Sequence, residues 1–277
     1  MTRMASQPGI VVTYLFVPGN RPERFDKALA SGADAVILDL EDAVAPDDKA
    51  RARANIGEWI DGHPDAAPRV VVRINDSATP WFAGDLDLLR ASGISVAMLP
   101  KAERGEQVAA VVAAIGAHGR VLPIIETAQG LANVDEVARA PDVQRLVFGT
   151  LDYGVDLDLS GDERGLVYPS ARIAIASRCA GIASPVAGVT PAIDDDARVL
   201  ADLAFARAFG FGAKLCIHPR QVGVVRNAMQ PTEDEIAWAR KVLVAAERSE
   251  GAVQVDGKMV DRPVIRKAQS IVDRAAD

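Results

Sequence analysis

Short apolar runs rich in β-branched residues recur along the chain, each broken by polar residues and followed by a stretch whose apolar positions have helical spacing. The runs predict strands over Val11 to Val17, Ala35 to Leu40, Val70 to Ile74, Val96 to Leu99, Val121 to Ile125, Leu146 to Phe148, Pro185 to Val189 and Lys214 to Ile217. Eight strands alternating with eight helices favour a (β/α)8 TIM barrel over a doubly wound sheet. Helices from Thr232 onward exceed the barrel. They predict a catalytic domain over residues 1–230 and a C-terminal helical extension over 231–277, free to pack on a neighbouring subunit.

Local signals refine this outline. Residues 1 to 9 read as a loose polar terminus. Asn20 with Glu23, around Pro22, reads as a capping box opening the first helix, and Thr232 with Glu235 as another opening a late one. Leu131, Val134 and Val137 form one helical stripe. From Tyr153 to Pro169 no period is visible and glycines recur, so this stretch reads as a lid.

The polar residues fall in a pattern of their own. Asp39, Glu41, Asp42, Arg73, Lys101, Glu126, Asp152 and His218 all sit at carboxyl ends of predicted strands, the face where such barrels build active sites. Glu126 and Asp152 end successive strands and can share one divalent ion, with positions left for water and substrate oxygens; the alternative is two solvated loop carboxylates. Arg73 can grip a substrate carboxylate through its planar fork, or serve a structural ion pair. Arg21, Arg24 and Lys27 form a basic patch that can receive a nucleotide phosphate or simply be a solvated helix face. Lys101 and Lys214 raise Schiff-base chemistry, which needs a desolvated amine, against plain ion pairing. His218 is a candidate base or a strand-end cap.

Composition narrows the classes. A formal charge of -7 argues against a protein that coats nucleic acid. Every hydrophobic stretch is interrupted by charge before it reaches membrane-spanning length, which points to a cytoplasmic protein with no membrane partner. The three histidines show no ligand spacing, so zinc is disfavoured and any metal is a hard ion held by carboxylates, such as Mg2+. Cys179 and Cys216 read as reduced core thiols.

The ordered motifs VPGNRPERFDKAL, ADAVILDLEDAV, VVRIN, LPK, LPIIETAQGL, FGTLDYGVDL, KLCIHPRQV and DGKMVDRP together resemble the HpcH/HpaI aldolase and citrate lyase family, nearest its branch of citrate lyase β-subunit-like (CitE-like) proteins, from about Tyr14 to Ala275. The resemblance implies a trimeric or hexameric barrel. It further implies magnesium and a carbon-carbon lyase or aldolase acting on a 3-hydroxyacyl-CoA thioester of malyl-CoA, citramalyl-CoA or citryl-CoA type. Carried over by position, Glu126 and Asp152 match metal ligands, and Arg73 with Glu126 matches substrate contacts. Arg21 and Lys27 match a region that approaches coenzyme A, and Asp261 an aspartate that acts as acid or base in a neighbour's site. Gly188, Val189 and Thr190 depart from the family's tyrosine and acidic residues after strand seven. Alternatives are a carrier-dependent or non-catalytic citrate-lyase-β-like subunit, or an aldolase on free 2-oxo acids.

Overall fold

The computed structural model describes residues 11–247 and 253–276. The polar terminus expected over residues 1–9 lies outside them. The described chain divides into two compact units, one spanning Val12–Val225 and the other made of Val11 and the chain from Arg226 on.

In the first unit β1 (Thr13–Pro18), β2 (Ala35–Asp39), β3 (Val70–Arg73), β4 (Val96–Leu99), β5 (Arg120–Ile125), β6 (Val147–Phe148), β7 (Val186–Ala187) and β8 (Ala213–Cys216) close into a parallel barrel in sequence order. Each stops within two positions of a polar residue or a glycine. Register fixes what faces inward. Tyr14 lies opposite Ala35 and Leu215, Ile37 opposite Val71, and Arg73 opposite Met98, so alternation directs Tyr14, Phe16, Ile37, Asp39, Val71, Arg73 and Met98 to the barrel interior. Leu15, Leu38, Val72 and Leu99 point outward and are fully buried under the helix layer. At the amino-terminal end Asp34 accepts hydrogen bonds from Val12 N, Thr13 N and Thr13 Oγ1, tying the entries of β1 and β2 together.

The outer layer comprises α1 (Phe25–Leu29), α2 (Lys49–Gly62), α3 (Phe82–Ala91), α4 (Gly105–Ile115), α5 (Ala128–Ala132), α6 (Val134–Arg139), α7 (Thr150–Asp156), α8 (Val167–Ala180), α9 (Asp196–Ala208) and α10 (Pro219–Met229), the last of which runs across the division between units. Four expectations are corrected here. The capping box at Asn20 and Glu23 does not form: Asn20 Nδ2 donates to Asp48 Oδ2 instead, Glu23 pairs with Arg21, and a 3-10 turn over Pro22–Arg24 precedes a five-residue helix. The single stripe through Leu131, Val134 and Val137 is two helices, parted where Asn133 Nδ2 reaches Glu103 O. The segment read as a lid is largely helical, with α7, a 3-10 turn over Glu163–Leu166 and the start of α8 within it. Its glycines hid the periodicity. Cys179 is exposed rather than in the core, whereas Cys216 is buried as expected.

In the second unit α11 (Glu233–Glu247) packs with α12 (Arg262–Ala276) around Ala239, Val242, Ala268 and Ile271, beside a hairpin of β9 (Val253–Val255) and β10 (Lys258–Val260). The Thr232 and Glu235 capping box forms in both directions: Thr232 N donates to Glu235 Oε2 and Glu235 N to Thr232 Oγ1. No described helix is long and apolar enough to cross a membrane.

Candidate active site

The carboxyl end of the barrel carries an acid-rich cluster built from the ends of β2 to β6. Asp39, the last residue of β2, lies opposite Arg73 in register, and the two form a fork-to-carboxylate pair with Nε and Nη2 each 2.7 Å from a carboxylate oxygen. Arg73 Nη1 approaches Glu41 Oε2 at 2.7 Å and Asp42 Oδ2 at 3.4 Å, and its guanidinium lies 4.8 Å from the centre of the Phe16 ring. Burial opposes the arginine's charge, but Asp39 and then Glu41 and Asp42 outweigh it and raise the pKa further. Arg73 is therefore a fixed cation.

Lys101 bridges to the next carboxylates. Its ammonium is 3.1 Å from Glu41 Oε1 and its backbone N–H donates to Glu126 Oε1 at 2.8 Å. The residue has φ +46°, a left-handed conformation unusual outside glycine, held in part by Ala102 N donating to Ile124 O. Burial works against the charge of Lys101, yet Glu41 more than restores it and the pKa is raised. A charged, ion-paired ammonium is a poor nucleophile, so the Schiff-base reading of Lys101 gives way to the ion pair.

Glu126 follows β5 and is 3% exposed. Its pKa is pushed up to about 8, first by burial and then by the charge of Glu41, with Asp152 adding to it against the Lys101 N–H. Its carboxylate rests on Gly149, where a methyl group would come within 2.6 Å of Glu126 Cβ and closer still to the acid oxygen. Any larger residue at 149 would force the Glu126 side chain to shift. Asp152 stands exposed in the first turn of α7, and Asp156, one turn on, accepts from Ala128 N at 2.7 Å, fastening α7 to the start of α5.

Glu41 is also buried, and burial pushes its pKa up against the pull of Arg73. Its Oε2 is close to Arg73 in distance but not aligned for a hydrogen bond, so it lacks a donor. Asp39, Glu41, Asp42, Glu126 and Asp152 thus outnumber Arg73, Lys101 and the buried Lys49, whose ammonium donates to Leu40 O and Glu41 O at 2.6 and 2.7 Å. An excess of negative charge, a carboxylic acid lifted to neutral pKa and an orphaned buried oxygen fit a divalent cation. No three acids, histidines or cysteines converge as a ready-made metal cage among the described residues. Such a cation would keep several positions for water and substrate, as magnesium does.

The other expected site residues are exposed or have local partners. Arg21 is exposed and pairs with Glu23 at 2.9 Å, while Lys27 is exposed on α1. His218 Nδ1 accepts from Arg220 N at the start of α10, a structural role. Asp261 Oδ1 accepts from Val264 N in the first turn of α12. Sequence reasoning passed over Phe16, Lys49 and Gly149. Lys49 looks like any surface lysine at a helix start and gave no signal, but a glycine directly after a strand, next to one ending in an acid, could have been read as room for that acid.

The HpcH/HpaI aldolase/citrate lyase family model matches residues 13–219. A citrate lyase subunit beta-like protein of Deinococcus radiodurans is 36% identical across 99% of this chain and all of its own length. An L-malyl-CoA/beta-methylmalyl-CoA lyase of Cereibacter sphaeroides is 35% identical, covering 94% of this chain and 93% of the relative. Among solved structures, CitE of Mycobacterium tuberculosis in complex with magnesium, acetoacetate and coenzyme A superposes with TM-score 0.87 at 35% identity, over 98% of this chain and all of the other. A family model that matches residues 13–219, together with a relative 36% identical over nearly the whole chain, makes this chain a member of the HpcH/HpaI aldolase/citrate lyase family.

Proposed function

We propose that the chain is a magnesium-dependent carbon-carbon lyase that cleaves a 3-hydroxyacyl-CoA thioester of malyl-CoA, citramalyl-CoA or citryl-CoA type into an oxo acid and an acyl-CoA. The observation that carries the reading is Glu126: a buried carboxylate lifted to about 8 beside Asp152 wants a cation to restore its charge. The magnesium and coenzyme A of the mycobacterial neighbour and the malyl-CoA lyase relative support the substrate class.

Glu126 and Asp152 would hold magnesium, which supplies Lewis-acid stabilisation of the negative charge that develops as the carbon-carbon bond breaks. Arg73, fixed by Asp39, has N–H donors beyond the two spent on that pair and would orient the carboxylate of the departing oxo acid. Lys101 holds Glu126 in place through its backbone N–H. The reaction needs a base for the 3-hydroxyl proton and an acid to protonate the acyl-CoA carbon. Asp261 of a neighbouring copy is assigned to that exchange, and Arg21 and Lys27 to the phosphates of coenzyme A. A homotrimer or a hexamer of such copies suits the large apolar side chains exposed on α7 and α8, namely Leu151, Val155, Val167, Tyr168 and Ile175.

The test is cleavage of a panel of 3-hydroxyacyl-CoA thioesters with and without magnesium, by the wild type and Asp152→Ala. Oxo acid released only with metal, and lost on the order of 100-fold or more in the variant, supports the reading. Equal activity in EDTA, or in the variant, removes magnesium and this site from the reaction.

A further inference from the structure

Outside the barrel wall, beneath α7, α8 and α9, lies a chamber of about 290 Å³. Its inner wall is the outer face of β6 to β8, and Thr150, Leu151, Gly188 and Val189, which follow β6 and β7, line it as well. Register places Phe148, Ala187 and Lys214 on the outer face of β6, β7 and β8, since Ile124 lies opposite Val147, Val186 opposite Ala213 and Tyr14 opposite Leu215, and those partners point inward. Phe148, Leu159, Ala187, Phe205 and Phe211 give it an apolar lining.

Lys214 lines this chamber at 2% exposure. Its ammonium donates to Gly188 O at 2.7 Å, and no carboxylate of the described residues lies within ion-pair distance. A lysine has three donors, so two are left unspent in an apolar surrounding, where charges are ordinarily paired. The three acids that line it are committed elsewhere: Asp202 accepts from Thr190 Oγ1 and pairs with Arg198, Glu163 pairs with Arg198 as well, and Asp162 pairs with Arg164. The Thr150 hydroxyl also lines the chamber beside Gly188 and makes no hydrogen bond to a described residue. Burial pushes the Lys214 pKa down, with Asp202 only partly offsetting it. A bound anion would reverse that.

We propose that the chamber is a second binding site for a small monocarboxylic acid with an aliphatic body, its carboxylate meeting Lys214 and the Thr150 hydroxyl and its chain the aromatic wall. An apolar cavity of roughly 150 Å³ takes a benzene ring, so a chamber near twice that volume holds about ten heavy atoms, the size of octanoate.

The test is calorimetric titration of the full-length protein with octanoate, and with octan-1-ol as its uncharged counterpart. The expected result is octanoate binding that is unchanged by magnesium and by Asp152→Ala, weak binding of the alcohol, and a loss on the order of 10- to 100-fold in Lys214→Met. Leu159→Trp, which fills the outer part of the chamber, should weaken binding too and decides the matter if Lys214→Met does not fold. No octanoate binding by the wild type, unchanged binding in folded Lys214→Met or in Leu159→Trp, or binding that follows magnesium and Asp152, would overturn the proposal.

Discussion

At the scale of single residues the site turns on Glu126 and the glycine beneath it. Because the pKa of Glu126 stands at about 8 in the folded chain against an ordinary 4.5, the folded state binds a proton that the unfolded state has released between those values. Metal-free protein should therefore lose stability as pH rises from about 5 to 8. Glu126→Gln should flatten that slope, and magnesium, which binds the ionised form, should oppose it. Thermal melts of both proteins across that range, with and without metal, check the sign; a wild-type slope matching the variant's would show that Glu126 is not strained. Gly149→Ala should act on the same group from outside. A methyl there collides with the Glu126 side chain, so magnesium affinity and turnover should fall on the order of 10- to 100-fold while the barrel persists, measurable by metal titration and circular dichroism.

At the scale of elements, loops after strands hold the site because buried polar groups fasten them. Asp85, fully buried at the start of α3, accepts from Asn75 N and Nδ2 at 2.7 Å each and from Arg53 Nη1 at 3.0 Å, which anchors the chain two residues beyond Arg73. Asp85→Ala leaves those donors and the guanidinium unpaired, and should cost about 3 to 5 kcal/mol in denaturant unfolding. The barrel was legible because every strand is an apolar run that meets a polar residue or a glycine within two positions of its end, a signal that depends on local chemistry alone. Elements shaped by distant partners were not. Asn20 reads as a cap until Asp48, on the next connection, takes its amide. Likewise the helices between Thr150 and Ala180 owe their order to contacts such as Asp156 with Ala128, which no local periodicity announces.

At the scale of the whole molecule, the clustering of the strand-end acids was legible from position in the fold alone, and the structure adds who holds whom: Asp39 fixes Arg73, while Lys101 spans Glu41 and Glu126. The role assigned to Asp261 belongs to the assembly. Asp152→Ala and Asp261→Ala, each inactive alone, should recover part of the activity when their subunits are mixed and reassembled; no recovery would place Asp261 outside a shared site. The measurement closest to the central claim is cleavage of a malyl-CoA-type thioester in deuterium oxide. Metal-stabilised carbon-carbon cleavage predicts one deuterium in the methyl group of the acyl-CoA product for each oxo acid released, with magnesium required and Glu126→Gln inactive. Free coenzyme A with the intact hydroxy acid, and no oxo acid, would instead mark a thioester hydrolase and contradict the account.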